Sequence, residues 1–362
     1  MGERSHVPFD VFAMRVDVPV STAVRDGDLG WTCGQCPLTE TGAVHAPGDL
    51  LAQTEFVCAM IENVMHRAGF KPANIGKLHV YFTAETDREG ADALALIAAR
   101  FGHGPLIVPV PVPHFYYDGM LIEVDVFAAS NLQIRAPVDA DGVRLHVADA
   151  GDQIWACASV SLIDRRPDEA VKLVAGGLAR QGLAPEHLLA DLWIVAGTNA
   201  GAGQVARSLQ HNRFATNPDA LVHLAEPAPP VIAAALTFCK HPVAVISDVR
   251  ANDGVNLTLK SSGRMLWGSG TCVTPGLDLV GQTCEIMQGF DAGLQDAGAS
   301  FADVVKLTAH YTGGASEQEL HDNMMVRHGF YQSPGPASTG LPVAALGNGK
   351  CRIAIDLFAV SA

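Results

Sequence analysis

The chain repeats itself, and this repetition constrains the fold more than any other feature. Residues 53–83 align without a gap to residues 282–312 of the 362-residue chain. The identical pairs are Gln53/Gln282, Thr54/Thr283, Ala68/Ala297, Gly69/Gly298, Ala73/Ala302, Lys77/Lys306, Leu78/Leu307 and Thr83/Thr312. In both copies a helical pattern ends at Ala-Gly and a strand pattern follows. Such self-similarity indicates a chain assembled from copies of one supersecondary unit.

The two copies also agree towards their ends. Residues 121–128 match residues 352–359, and each segment has the pattern of a strand bounded by turns. Upstream, Trp31 and Trp267 occupy equivalent positions. Chance similarity between two ordinary α+β domains is the alternative, but it does not explain why the matches keep one order from front to end.

A fainter third copy lies between them and begins near Trp155. It continues with a helical run at 170–182 and strands at 192–195 and 230–236. We therefore predict an α+β fold of three tandem domains, with boundaries at 1–129, 130–240 and 241–362. These are repeats 1, 2 and 3 below.

Composition narrows the class of protein. With 48% hydrophobic and 17% charged residues, the chain can bury a large core. A formal net charge of −14 argues against binding to nucleic acid or to an anionic membrane surface. The eight cysteines lie mostly in apolar runs, and no signal-peptide pattern precedes them, so we expect reduced thiols in a cytoplasmic protein.

The motifs of repeat 3 resemble those of the Rid (RidA/YjgF) family. They are Trp267-Gly268-Ser269-Gly270, Gln282-Thr283, Ala297-Gly298, the strand at 303–307 and the segment at 335–340. The resemblance implies a chorismate-mutase-like fold. Family members are typically homotrimers with ligand sites in the clefts between subunits. Three fused copies would form an intrachain pseudo-trimer with three non-equivalent clefts. The resemblance also implies a small-molecule substrate and no metal or organic cofactor. A homo-oligomer of pseudo-trimers is possible.

The resemblance also assigns candidate site residues. In the family's deaminases an arginine holds the substrate carboxylate, and here its position is taken by Ser338, next to Thr339. The family's water-placing glutamate corresponds to Glu123 in repeat 1 and to Ala354 in repeat 3. The missing arginine puts hydrolysis of 2-aminoacrylate-type imino acids in doubt.

Glu123 is the main candidate for acid–base catalysis. It sits in a strand pattern that should be buried, where a carboxyl without a fixed cation has a raised pKa. The alternative is a solvated or hydrogen-bonded glutamate with a structural role. Asp125 and Asp356 are expected to point away from this site and to make bonds at repeat interfaces.

Cys33 and Ser269 share one repeated position, two residues after a tryptophan. In the family this position supplies a hydroxyl and backbone N–H groups to the ligand, which suits an oxyanion or a carboxylate. Cys33 could instead be a nucleophile if a base lowered its pKa. Packing beside the tryptophan is the simpler alternative, and a redox role for Cys33-Gly34-Gln35-Cys36 is weakly supported because no helix pattern follows.

The segment at 106–117 alternates prolines with apolar residues and ends in an aromatic cluster. The prolines remove ladder donors, so this strand must lie at a sheet edge or line a cleft. His114, Tyr116 and Tyr117 could form an aromatic wall for a ring or a conjugated acid, the alternative being a solvated turn. Arg327 is the candidate cation for an anionic substrate, although exposed arginines are the commoner outcome.

These residues favour hydrolytic deamination of an enamine, an imine or a conjugated small metabolite. Glu123 would activate water beside a polar cradle at Cys33 or Ser269. A ring-opening hydrolase or a chorismatase-like lyase acting on a cyclic acid is a second possibility. A non-catalytic metabolite-binding protein is the third, favoured by the absent arginine.

Overall fold

The computed structural model describes residues 4–13, 18–196, 202–224, 230–251, 253–314 and 316–361. These residues form three mixed sheets, each with two helices on one face. The α+β class and the three repeated units are therefore confirmed. The described residues contain no helix with the length and apolar character needed to cross a membrane.

The first sheet is built from repeat 1. Its strands are β1 (Ser5–Pro8), β2 (Ser21–Asp26), β3 (Leu29–Thr32), β4 (Ile75–Phe82), β5 (Leu106–Pro111) and β6 (Ile122–Ala129), in the order β1-β2-β3-β6-β4-β5. Helices α1 (Leu50–Arg67) and α2 (Asp87–Arg100) follow β3 and β4. The proline-rich β5 is an edge strand parallel to β4, which confirms the expected edge position.

The second sheet comes mainly from repeat 2. Its strands are β7 (Leu132–Ile134), β8 (Val138–Ala140), β9 (Val143–Ala150), β10 (Gln153–Ser161), β11 (Leu188–Ala196), β12 (Val222–His223) and β13 (Val231–Cys239). Its helices are α3 (Pro167–Arg180) and α4 (Ala202–His211).

The third sheet comes from repeat 3. Its strands are β14 (Ala244–Val249), β15 (Val255–Ser262), β16 (Met265–Cys272), β17 (Val304–Tyr311), β18 (Ala337–Pro342) and β20 (Ile353–Val360), with helices α5 (Leu279–Asp296) and α6 (Glu317–His328). The order β14-β15-β16-β20-β17-β18 repeats that of the first sheet. The short β19 (Ala345–Leu346) crosses to pair with β12 of the second sheet.

The repeated sequence identities have matching structural roles. The Gln53 side chain donates to the carbonyl of Gly119 and accepts from the N–H of Leu121, which fixes the start of β6. Gln282 does the same for β20 through Lys350 and Arg352. The predicted Ala-Gly helix ends are also confirmed, since the glycines after α1 and α5 have φ of 78° and 71°.

The three sheets meet around one shared core. Trp31, Trp155 and Trp267, one from each repeat, are buried in a single apolar cluster. Phe127 of β6 packs edge-on at 6.3 Å from both Trp155 and Phe358 of β20. A central cluster to which all three copies contribute confirms the pseudo-trimer, with the helices facing outwards.

Candidate functional site

A cavity of about 90 Å³ opens between repeat 1 and repeat 3, in what we call the 1/3 cleft. Its polar lining comes from both repeats. Repeat 1 supplies Cys33, Gly34, Cys36, Tyr117 and Glu123, and repeat 3 supplies Arg327, His328, Ser338 and Thr339. The predicted residues Cys33, Tyr117, Glu123, Arg327, Ser338 and Thr339 thus meet at one site, although they are up to about 300 positions apart in the chain.

Glu123 lies on β6 with its carboxyl packed directly against Gly34. A Cβ added to Gly34 would lie only 1.6 Å from Glu123 Oε1, so glycine is required there. The backbone of Gln35 pairs with Val124, which fixes this approach. Burial, and then the nearby charge of Asp125, raise the pKa of Glu123 to about 8, against smaller opposing effects of Cys36 and Lys306. The carboxyl is therefore mainly protonated at neutral pH.

The two thiols of the Cys-x-x-Cys segment surround this carboxyl. Both Cys33 Sγ and Cys36 Sγ lie near the Gly34 carbonyl oxygen, at 3.6 and 3.7 Å, and Cys36 also hydrogen-bonds to Glu123. Burial raises the pKa of Cys33 to about 12 and that of Cys36 well above its usual value. Neutral thiols of this kind are polar lining groups and poor nucleophiles.

Arg327 brings a buried guanidinium into the cleft from helix α6. Its Nε donates to Asn323 Oδ1 at 2.9 Å, and its Nη1 donates to Ser338 Oγ at 3.2 Å. The side chain is 1% exposed, and no carboxylate within the described residues forms an ion pair with it. Gly340 leaves room for it, because a Cβ there would lie 2.8 Å from Nη2. The position of Ser338, where an arginine was expected, therefore has a guanidinium from another element.

A buried ion pair supports the floor of the site across the repeat interface. Lys306 Nζ lies 2.8 Å from Asp125 Oδ1 and donates to Thr339 Oγ1 at 2.6 Å. Thr339 Oγ1 in turn donates to the same Asp125 oxygen at 2.6 Å. Asp125 makes the expected interface bond, but the prediction that it points away from Glu123 is wrong. Residues i and i+2 of a strand share one face.

Three predicted residues lie elsewhere. Ser269 hydrogen-bonds to Asp356 in the cleft between repeats 2 and 3, away from Glu123. Tyr116 stacks on Tyr311 with ring centroids 6.0 Å apart, and His114 packs edge-on against Tyr116. Neither aromatic residue lines the cavity, so the expected aromatic wall is reduced to Tyr117. Glu123, the acid–base candidate, therefore shares its cleft with Cys33, whereas Ser269 belongs to a different cleft.

The apolar half of the lining was not predicted. It consists of Phe9, Phe12, Val18, Val20, Leu38, Leu320 and Met324. Phe9 and Phe12 pack edge-on with centroids 4.9 Å apart. The first four residues precede the aligned repeats, so repeat comparison could not assign them. A run of apolar residues preceding β2 was the only available signal.

The cleft between repeats 2 and 3, the 2/3 cleft, is nearly closed. Its cavity is about 10 Å³, enough for a water molecule, and it is lined by Asp191 and Asp356 among apolar residues. Burial raises the pKa of Asp356 to about 7. Within the described residues we find no cluster of three metal-binding side chains in any cleft.

Comparison with known proteins agrees with this architecture. A family model described as Endoribonuclease L-PSP matches residues 13–130. A Rid-family protein from Yersinia pestis is 26% identical over 35% of this chain and 98% of its own, with a TM-score of 0.27. A YjgF-family member from Mycobacterium tuberculosis is 24% identical over 35% of this chain and 99% of its own, with a TM-score of 0.29. No curated protein matches significantly in sequence.

A solved chorismatase is similar over a much larger part of the chain. The match covers 80% of this chain and 93% of the chorismatase, with a TM-score of 0.50 and 12% identity, which shows a common fold. Residues 13–130 match the Rid (YjgF) family model, which confirms the resemblance seen in this part of the sequence.

Proposed function

We propose that the 1/3 cleft catalyses hydrolytic deamination of a small carboxylate that carries an enamine or an imine. Rid-family membership of repeat 1 supports a role in small-metabolite chemistry. The observation that carries the proposal is the meeting of Glu123 with Arg327 in one cavity. A buried guanidinium that pairs with no carboxylate of the described residues favours an anionic ligand, and a neutral carboxyl beside it can transfer protons.

The proposed reaction begins with Arg327 and Ser338 holding the substrate carboxylate. The neutral Glu123 carboxyl donates its proton to the enamine carbon, which converts the C=C–NH₂ group to an iminium ion. The resulting carboxylate then takes a proton from water as the water oxygen bonds to the iminium carbon. Glu123 returns this proton to nitrogen, the C–N bond breaks, and ammonia leaves. Loss of the hydroxyl proton to Glu123 yields the ketone and restores the neutral acid.

The test uses 2-imino acids generated in situ by an amino-acid oxidase, with semicarbazide competing to trap them. The wild-type protein should accelerate 2-oxo acid formation. Glu123→Gln should lower kcat/KM by about 10²–10⁴-fold, the usual contribution of a general acid–base group. Unchanged rates in this variant for every accepted substrate would refute the role assigned to Glu123. No acceleration by the wild-type protein with any imine tested would favour a non-catalytic binding protein.

A chorismatase-like lyase or ring-opening hydrolase acting on a cyclic acid is the second candidate. The fold likeness that covers 80% of the chain favours it. In that reaction the neutral Glu123 would protonate a ring or ether carbon instead of an enamine. Release of pyruvate or a ring-opened acid from a cyclic enol-ether acid, without ammonia, would favour this alternative.

We also propose domain boundaries at 1–129, 130–240 and 241–362. Support comes from the closing strands, since β6 ends at Ala129 and β13 ends at Cys239.

A cytoplasmic location is supported by the eight cysteines, all of which are free thiols. Assembly of pseudo-trimers into larger oligomers remains a proposal, to be tested by light scattering.

A further inference from the structure

We propose that the 1/3 cleft selects monocarboxylates with a short aliphatic chain and rejects dicarboxylates. This rests on the proposed role of Arg327 as the carboxylate anchor. The cavity is lined by apolar residues apart from a polar group around Arg327 and Glu123. Its volume of about 90 Å³ is well below the roughly 300–1,000 Å³ of pockets for drug-sized ligands.

Helix α6 gives the cavity a direction. Leu320, Met324 and Arg327 all line it, and their spacing places them on one helix face. At about 1.5 Å per residue, Met324 lies about 4.5 Å and Leu320 about 10 Å from Arg327 along the axis. A ligand whose carboxylate binds Arg327 and whose chain follows this face therefore passes Met324 first and Leu320 next.

The walls around this path are also apolar. Val20 and Leu320 belong to the buried core of repeat 3, and Phe12 packs with Leu38 and Cys36 in a separate apolar cluster. Among the lining residues, Arg327 and the neighbouring His328 are the cationic or titratable bases. Within the described part of the lining, a second carboxylate at the Leu320 end would lose its hydration and meet no cation, whereas an isopropyl group would be buried favourably.

The test is calorimetric titration with two stable 2-oxo acids, 4-methyl-2-oxopentanoate and 2-oxoglutarate. Both present the same 2-oxo carboxylate to Arg327 and differ in an isopropyl or a carboxylate end. We expect the wild-type protein to bind the branched acid at least about tenfold more tightly, the effect of burying a few apolar groups. Equal affinities, or tighter binding of 2-oxoglutarate, would overturn the inference.

A matched pair of variants on α6 tests the cause. Met324→Lys places a cation beside the ligand path and should shift the affinity ratio at least about tenfold towards 2-oxoglutarate. Met325→Lys adds the same charge at a neighbouring side chain that is 53% exposed, and should leave the ratio unchanged. A similar shift in both variants would show that net charge, and not the cavity wall, decides the preference.

These outcomes separate the inference from the proposed function. Selective binding without deamination of any imine refutes the function and leaves the selectivity standing. Deamination with equal affinity for both acids refutes only the selectivity. Binding of neither acid refutes the carboxylate anchor, and with it the inference. Thermal unfolding of each variant checks that the fold is retained.

Discussion

Replacing Glu123 by glutamine removes an ionisable group from the 1/3 cleft and keeps the size of the side chain. The Glu123 pKa is about 8 in the folded protein against an ordinary value of 4.5. A raised carboxyl pKa stabilises the folded state only while the group is protonated. That contribution is fully present below pH 4.5, is lost progressively as pH rises, and is gone once the pH has passed about 8.

The size of the effect follows from the two pKa values. Because Glu123 ionises at a lower pH in the unfolded chain than in the folded protein, its ionisation makes folding less favourable by about 2 kcal/mol at pH 6 and by nearly 5 kcal/mol at pH 9. The wild-type protein should therefore lose about 2.5 kcal/mol more unfolding free energy between these pH values than Glu123→Gln does. Other titrating groups are common to both proteins and cancel in the comparison.

Urea unfolding at pH 6 and pH 9 measures this difference directly. The exposed Glu40 provides a control, because Glu40→Gln should follow the wild-type pH dependence. Parallel stability curves for wild type and Glu123→Gln would show that this carboxyl is ionised in the folded protein. The proposed proton donation to substrate would then lack its acid.

Three further predictions concern the supports of the site. Arg327→Met should weaken binding of 2-oxo acids by about 100-fold at unchanged fold, as seen by calorimetry; unchanged affinity would exclude the guanidinium as the anchor. Lys306→Met should lower the unfolding free energy by about 3–5 kcal/mol because Asp125 is left buried and unpaired. The double variant Lys306→Met/Asp125→Leu should regain most of this free energy, and a double variant as unstable as the single one would contradict the pairing. Gly34→Ala should displace the glutamate carboxyl and reduce kcat by about 10²–10⁴-fold, whereas Gly102→Ala, where the new Cβ has no neighbour closer than 3.7 Å, should not.

Sequence comparison could predict the fold because each repeat carries its own local signals. The Gln53/Gln282 pair and the Ala-Gly helix ends are used in the same way in both copies. Knowing the repeats is then enough to assign the strands to sheets, because each strand pairs within its own repeat, apart from the short β19.

The site was less accessible to sequence reasoning because it forms between units. The family's arginine position is Ser338 on β18, whereas the guanidinium of this chain comes from Arg327 on α6. Only the docking of α6 against β18 places Arg327 beside Ser338. Phe9 and Phe12 precede the aligned segments of repeat 1, so no equivalent residues marked them. The predicted residues Glu123 and Cys33, which both line the 1/3 cleft, are at family positions within one repeat.

The three clefts differ in whether they contain a complete buried lysine–aspartate ion pair. This difference distinguishes one cleft from the other two without reference to the cavity. Strand register places Lys77, Lys306 and Ala190 at equivalent positions in the three repeats. Only Lys306 meets its aspartate, Asp125. Lys77 faces repeat 2, where Ala235 takes the aspartate position, and burial lowers the pKa of Lys77 to about 8.

In the 2/3 cleft the aspartate is present and the lysine is missing. Asp356 occupies the place of Asp125, but Ala190 takes the lysine position in repeat 2, and burial raises the pKa of Asp356 to about 7. A homotrimer cannot lose a pair in two clefts and keep it in the third, because its subunits are identical. A fused chain can. The cleft that keeps the complete pair is also the one in which Glu123 and Arg327 meet, so both observations support the proposal that places the reaction in the 1/3 cleft.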